Sequence, residues 1–158
     1  MIENLLVDDL IAYLESYFKE NLLPSEQGDY VPPQIVNGWL PHKRSVGPED
    51  RDFPFIIVRP RKGATTDQSN SNASIELLIG TYSEEYDGYQ HNMQILARLR
   101  QALFGLPALT LNSRYRLEFP LKWELFEDQP WPEWALKVET NWTVYTPQPA
   151  DEFEGEFF

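Results

Sequence analysis

The sequence predicts an α+β fold, a mostly antiparallel sheet with two amphipathic helices packed on one face. Three observations carry that expectation. Two segments space their apolar residues for a helix, four alternate with the period of a strand, and their order is helix, strand, strand, helix, strand, strand. A chain of 158 residues, 42% apolar and 14% aromatic, can bury about two-thirds of its unfolded surface in one domain. Residues 1–146 are read as that single domain, and 147–158, PQPADEFEGEFF, as an acidic tail expected to be disordered.

The first helix is expected from Glu3 to about Asn21. Leu6, Leu10, Leu14, Tyr17 and Phe18 share one side, Asp8 and Asp9 near the start and Lys19 near the end suit the helix dipole, and Leu22-Leu23-Pro24 stops it. Residues 24–53 carry Pro24, Pro32, Pro33, Pro41 and Pro48, which exclude one long regular element and predict an extension or loop, with Gln34 to Trp39 as a short strand. Phe53 to Pro60 reads as a buried strand. Arg61 to Asn72 has little to bury and is expected to be a mobile polar loop, so that Ala73 to Tyr82, with Ile75, Leu77 and Ile79 on one face, pairs back as a long-looped hairpin.

Asp87 is the expected N-cap of a second helix reaching Phe104, with Ile95, Leu96, Leu99, Ala102 and Leu103 as its buried stripe and His91, Gln94, Arg98 and Gln101 solvated opposite; Gly105 and Pro107 end it. Tyr115 to Leu125 is strand-like, with Pro120 as a bend or bulge. After a PWPEW corner, Leu136, Val138, Trp142 and Val144 share one face of a last strand, Ala135 to Tyr145, and Lys137, Glu139, Asn141 and Thr143 the other.

Thirteen Lys and Arg against 25 Asp and Glu give a net charge of −12, which repels phosphate backbones and anionic lipid and argues against nucleic acid as a specific ligand. Asp151, Glu152, Glu154 and Glu156 supply part of it, and the rest of the chain stays acidic without them. The opening MIENLLVDDL places acids where a signal peptide carries basic residues, and no apolar run approaches the ~18 residues of a membrane span. There is no cysteine, which removes disulfides and thiolate chemistry and suits a reducing cytosol.

Catalytic signatures are missing too. His42 and His91 stand alone, and there is no GxxxxGK[ST], GxGxxG or GxSxG. No cofactor, metal or catalytic residue is expected, and the chain is read as a non-enzyme. Glu84, Glu85 and Asp87 could serve a metal-assisted hydrolase, although acids before a helix N-terminus are explained by the dipole alone. Two basic clusters, Arg59, Arg61 and Lys62 and then Arg114 and Arg116, stand out as self-complementary patches or as ordinary solvated surface. Trp123, Trp131, Trp134 and Trp142 crowd one third of the chain. Trp123 and Trp142 are read equally as core or interface; Trp131 and Trp134, beside prolines, are read as interface or as a peptide-binding surface.

FPFIIVRP, a polar loop, IELLIGTYSEEYDGYQHNMQILARLRQALFGLP and then FPLKWELFEDQPWPEWALKVETNW together resemble the tail-terminator proteins of long-tailed bacteriophages and prophages, in element order over roughly residues 1–146. The resemblance implies a structural protein that forms a ring with itself, usually a hexamer. Such a ring caps the growing tail tube, stops its polymerisation and joins tail to head. Its partners would be the tail-tube protein and head connector proteins, with no membrane; its place would be the virion, after assembly in the bacterial host cytoplasm. A head-side connector or stopper of the same pathway is the alternative. Arg59, Arg61, Lys62, Trp131 and Trp134 are the candidate subunit or partner contacts.

Overall fold

In the computed structural model, residues 2–40 and 52–145 are described. The chain runs α1 (Ile2–Phe18), β1 (Leu23–Pro24), β2 (Tyr30–Val31), β3 (Gln34–Asn37), β4 (Phe55–Thr65), β5 (Asn70–Tyr82), α2 (Tyr89–Phe104), a single 3₁₀ turn (Pro107–Leu109), β6 (Thr110–Leu111), β7 (Tyr115–Leu125) and β8 (Glu133–Tyr145). Six strands make one sheet in the order β3-β4-β5-β8-β7-β6, antiparallel throughout except for the parallel pair β3·β4. The α+β class with both helices on one face of a mostly antiparallel sheet is thus the observed architecture.

Period-two alternation decides which face is covered. Ile56 and Val58 of β4, Ile75, Leu77 and Ile79 of β5, and Leu136, Val138, Trp142 and Val144 of β8 are fully buried or nearly so beneath Leu6, Leu10, Leu14 and Phe18 of α1 and Ile95, Leu96, Leu99 and Leu103 of α2, in one continuous core. The opposite face has no helix among the described residues. It carries a small apolar cluster of Val36, Phe55 and Ile57 at one corner and charged residues elsewhere. Phe55 lies over Gly80, its cross-strand partner: a Cβ on Gly80 would stand 2.1 Å from the Phe55 ring.

Several expectations are corrected. Residues 61–72 are not a mobile loop, because β4 continues to Thr65 and β5 starts at Asn70, leaving a tight turn between them. Low apolarity misled here: the inner edge of this hairpin is held by the β8 ladder from Asn70 to Ile75, which needs backbone groups and not greasy side chains. Turn chemistry is local. The Asp67 carboxylate accepts from the backbone N–H groups of Ser69 and Asn70 at 2.8 and 2.9 Å. Helix α1 ends at Phe18, so Lys19 lies beyond it and Asp8 and Asp9 fall past its first turn.

Asp87 does not cap α2; Gly88 stands at the N-cap without a side-chain bond. The reason is packing, since a Cβ at position 88 would meet the Trp134 indole nitrogen at 2.3 Å. His91 is half-buried, not solvated, and its Nδ1 is buried without a hydrogen-bond partner among the described residues. The short strand expected at Gln34 to Trp39 is β3, which joins the main sheet, and β1 and β2 add a two-stranded ladder to the ordered extension before it. His42, Pro41, Pro48 and the acidic tail lie outside the described residues.

Asn92 anchors α2 to the sheet. Fully buried, it accepts from the Thr81 hydroxyl at 2.7 Å and donates to the Ile79 and Trp134 carbonyls at 3.2 and 3.1 Å. Asn92→Leu keeps the volume and orphans those groups, and should lower unfolding free energy by about 2–4 kcal/mol. Urea denaturation measures it, and adding Thr81→Val should recover part of the loss by removing the stranded hydroxyl.

Candidate functional site

The five candidate contact residues divide between internal and outward positions. Arg59 and Trp134 are used within the chain. The Arg59 guanidinium donates to the Gly38 carbonyl at 2.8 Å and to Glu76 at 3.2 Å, and lies 4.5 Å from the Trp39 ring centroid. Glu76 is its cross-strand neighbour and is only 8% exposed. Trp134 is half-buried, donates its indole N–H to the Ser83 carbonyl at 3.0 Å and closes over Gly88. Arg61, Lys62 and Trp131 are exposed, the tryptophan at 54%. Arg61 and Lys62 sit on β4, whereas Trp131 lies in the corner before β8, so these three do not form one patch.

Arg61 and Lys62 mark an open edge. β3 covers β4 only from Phe55 to Val58, and among the described residues nothing pairs with the outer edge of Pro60–Thr65. The far side of the sheet repeats this arrangement. β6 covers β7 only at Tyr115 and Arg116, leaving the outer edge of Leu117–Leu125 without a strand partner among the described residues. Each edge strand carries a proline, Pro60 and Pro120, with a register irregularity beside it, between Pro60 and Lys62 and between Glu118 and Lys122. Proline has no N–H to give a ladder, so it is tolerated where one side of the strand is unpaired. That signal was present in the sequence; Pro120 was read as a bulge, which is correct, but not as the mark of an edge.

The helix side of the β7 edge is aromatic. Phe119 is 63% and Trp123 45% exposed, and Phe119 lies 5.5 Å from Phe104 at the end of α2. Trp123 pairs with buried Val138 and still keeps 45% exposure, so its inward phase does not bury it, although Leu121 and Leu125 on either side pack against the core. Trp142 is wholly core. On the helix-free face charges interleave along and across strands: Lys137 lies 3.4 Å from Glu139 on its own strand and 3.9 Å from Glu124 on β7, and Arg116 3.7 Å from Glu118, both on β7. Pairs this exposed add little stability.

Glu84, Glu85 and Asp87 are exposed in the turn before α2. Glu84 and Glu85 line an open cleft of about 390 Å³ with Glu26, Tyr82 and His91. Desolvation, then the Glu84 carboxylate, push the Tyr82 phenol above its ordinary range, so it stays protonated at neutral pH. No group of three or more histidines and carboxylates is placed to hold a metal among the described residues, and no described helix is long and apolar enough to cross a membrane. No protein-family model matches the chain, and no curated protein matches it.

Arg59→Ala should destabilise the fold by about 1–3 kcal/mol, because it strands the Glu76 carboxylate. Lysine should not rescue it, lacking the planar fork that meets Gly38 and Glu76 together, whereas adding Glu76→Gln should; thermal and urea melts decide. A second expectation concerns Asp67, whose pKa is lowered, first by the Ser69 backbone N–H and then by the Asn70 side chain. A depressed carboxylate contributes above its unfolded pKa and loses that contribution as pH falls through the folded value. Protection of the Ser69 and Asn70 amides, measured relative to their intrinsic exchange rates, should therefore hold at neutral pH and fall only below the ordinary carboxylate range, while Asp67→Ala should lack it throughout.

Proposed function

We propose that this chain is a structural protein of phage tail assembly. It forms a ring with itself at the end of the tail tube, terminates tube polymerisation and joins the tail to head connector proteins in the virion. One observation carries the reading: among the described residues, the sheet ends in unpaired strand segments on both sides of a single subunit. Unpaired edges invite uncontrolled strand pairing, and natural proteins pair, cover or blunt them. A subunit with two different open edges is suited to head-to-tail assembly, and such assembly closes into a ring when the rotation permits.

Other features support it. The segments by which the chain resembles tail-terminator proteins, FPFIIVRP, IELLIGTY and the PWPEW corner, are one support. The net charge of −12 suits the wall of a passage through which DNA slides, because like charge withholds the phosphate contacts that would arrest it. Shape and self-association, with no chemical step, are the work assigned to the chain.

Light scattering, with electron microscopy of the purified protein added to polymerising tail tubes, tests the reading. Rings at tube ends and tubes that stop growing are expected. A chain that stays monomeric and leaves tube growth unchanged would refute it.

A further inference from the structure

We infer that the contact between neighbouring copies is a strand ladder, with β7 of one copy pairing antiparallel to β4 of the next, in the register Lys62 opposite Glu124 and Gly63 opposite Trp123. The inference rests on the ring reading and gives it an interface.

Direction comes first. β4, β5, β8 and β7 alternate, each antiparallel to its neighbour, so β7 runs opposite to β4. In a ring, the β4 of the next copy has the sense of a copy's own β4 rotated about the ring axis, and it meets β7 antiparallel. The sheet then continues from copy to copy with the helix layer always on the same side.

Side-chain phase narrows the register. Gly63 pairs with buried Ala73 and Trp123 with buried Val138, which places both on the helix side; Lys62 pairs with Ser74 and Glu124 with Lys137, which places both on the helix-free side. Directly opposed residues of a ladder share a face. Lys62 can therefore oppose Glu118, Lys122 or Glu124; charge excludes Lys122, and of the two carboxylates Glu124 is the freer, its side chain keeping 63% exposure, whereas Glu118 accepts from the Thr143 hydroxyl at 3.0 Å and lies 3.7 Å from Arg116. The same register sets Trp123 over Gly63. A ring over a cross-strand glycine is the arrangement that the chain already uses at Phe55 and Gly80.

Shape agrees. Beside the start of α1, the β4 edge borders an open cleft of about 350 Å³ whose lining includes Glu3, Arg61, Lys62, Gly63, Ala64 and Thr65. Gly63 and Ala64 are its small residues. The register also has a stagger. One copy carries Lys62 level with Ser74, Asn141 and Glu118, whereas Glu124 lies level with Lys137, four residues along β8. A stepped register of this kind is what tilts strands in a closed barrel. Proline and lysine on both edges discourage indiscriminate pairing and leave this pairing favoured by its own charges.

The absence of cysteine makes the test free of background. The double variant Lys62→Cys/Glu124→Cys, oxidised under native conditions, should give a ladder of covalent oligomers ending at the ring size, while either single variant gives none. Efficient dimers from Glu124→Cys alone would mean β7 pairs with its own copy and would overturn the head-to-tail contact. Charge reversal supplies a second arm that needs no covalent bond. Arg61→Glu/Lys62→Glu and, separately, Glu124→Lys/Glu127→Lys should each lose the ring in native mass spectra while keeping the far-ultraviolet circular dichroism of the parent. An equal mixture should restore it, because each basic edge then meets an acidic one. A wild-type ring unaffected by either reversal, with the double cysteine variant unlinked, overturns this interface and leaves the ring standing. A wild type that assembles neither alone nor on tail tubes overturns the ring reading and this interface with it.

Discussion

Asn92 carries an amide into a core that is otherwise almost wholly apolar, and its partners fix where the second helix can lie. The carbonyl takes the Thr81 hydroxyl and the amide nitrogen serves the Ile79 and Trp134 carbonyls, so one side chain joins α2 to β5 and to the start of β8. A hydrophobic stripe alone would let a helix slide or rotate over a flat apolar surface. Three directed hydrogen bonds in a dry environment do not. Trp134 works beside it, closing over Gly88 and holding the Ser83 carbonyl.

With both helices held on one side, the rest of the architecture follows. The strands need bury only one face, and they alternate accordingly. The other face is free to be charged, and ion pairs spread over it, from the nearly buried Arg59 and Glu76 to the half-buried Lys137 with exposed Glu124 and half-buried Glu139. Arg59 differs from the rest because it is also bonded to Gly38 and lies against Trp39. It secures the connection that brings β3 alongside β4, and so determines where the cover of that edge stops.

Where the cover stops is also where assembly becomes possible. β3 and β6 are short, so among the described residues both sides of the sheet keep a stretch of open backbone. The residues on those stretches have the character of an edge: proline, lysine, a register irregularity and, on β7, exposed aromatic rings. A domain whose core is complete but whose sheet is not is physically suited to lengthening that sheet with another subunit.

Much of this was legible in the chain. The stripes Leu6, Leu10, Leu14, Phe18 and Ile95, Leu96, Leu99, Leu103, and the alternation of Ile75, Leu77, Ile79 and of Leu136, Val138, Trp142, Val144, fixed two helices, the long strands and the buried face, because period and burial are properties of neighbours in sequence. Local reasoning failed where distant partners decide. The hairpin from Arg61 to Asn72 is polar and still ordered, because its backbone bonds go to β8. Gly88, not Asp87, opens α2, because an indole 46 residues away occupies the space. Trp123 has the phase of a core residue, opposite buried Val138, and is still 45% exposed, because it stands on an edge strand with no further strand beside it among the described residues. Composition and periodicity thus set which residues turn inward, while tertiary structure alone chose which strands became edges and which side chains they present, since an edge is defined by the neighbour a strand lacks.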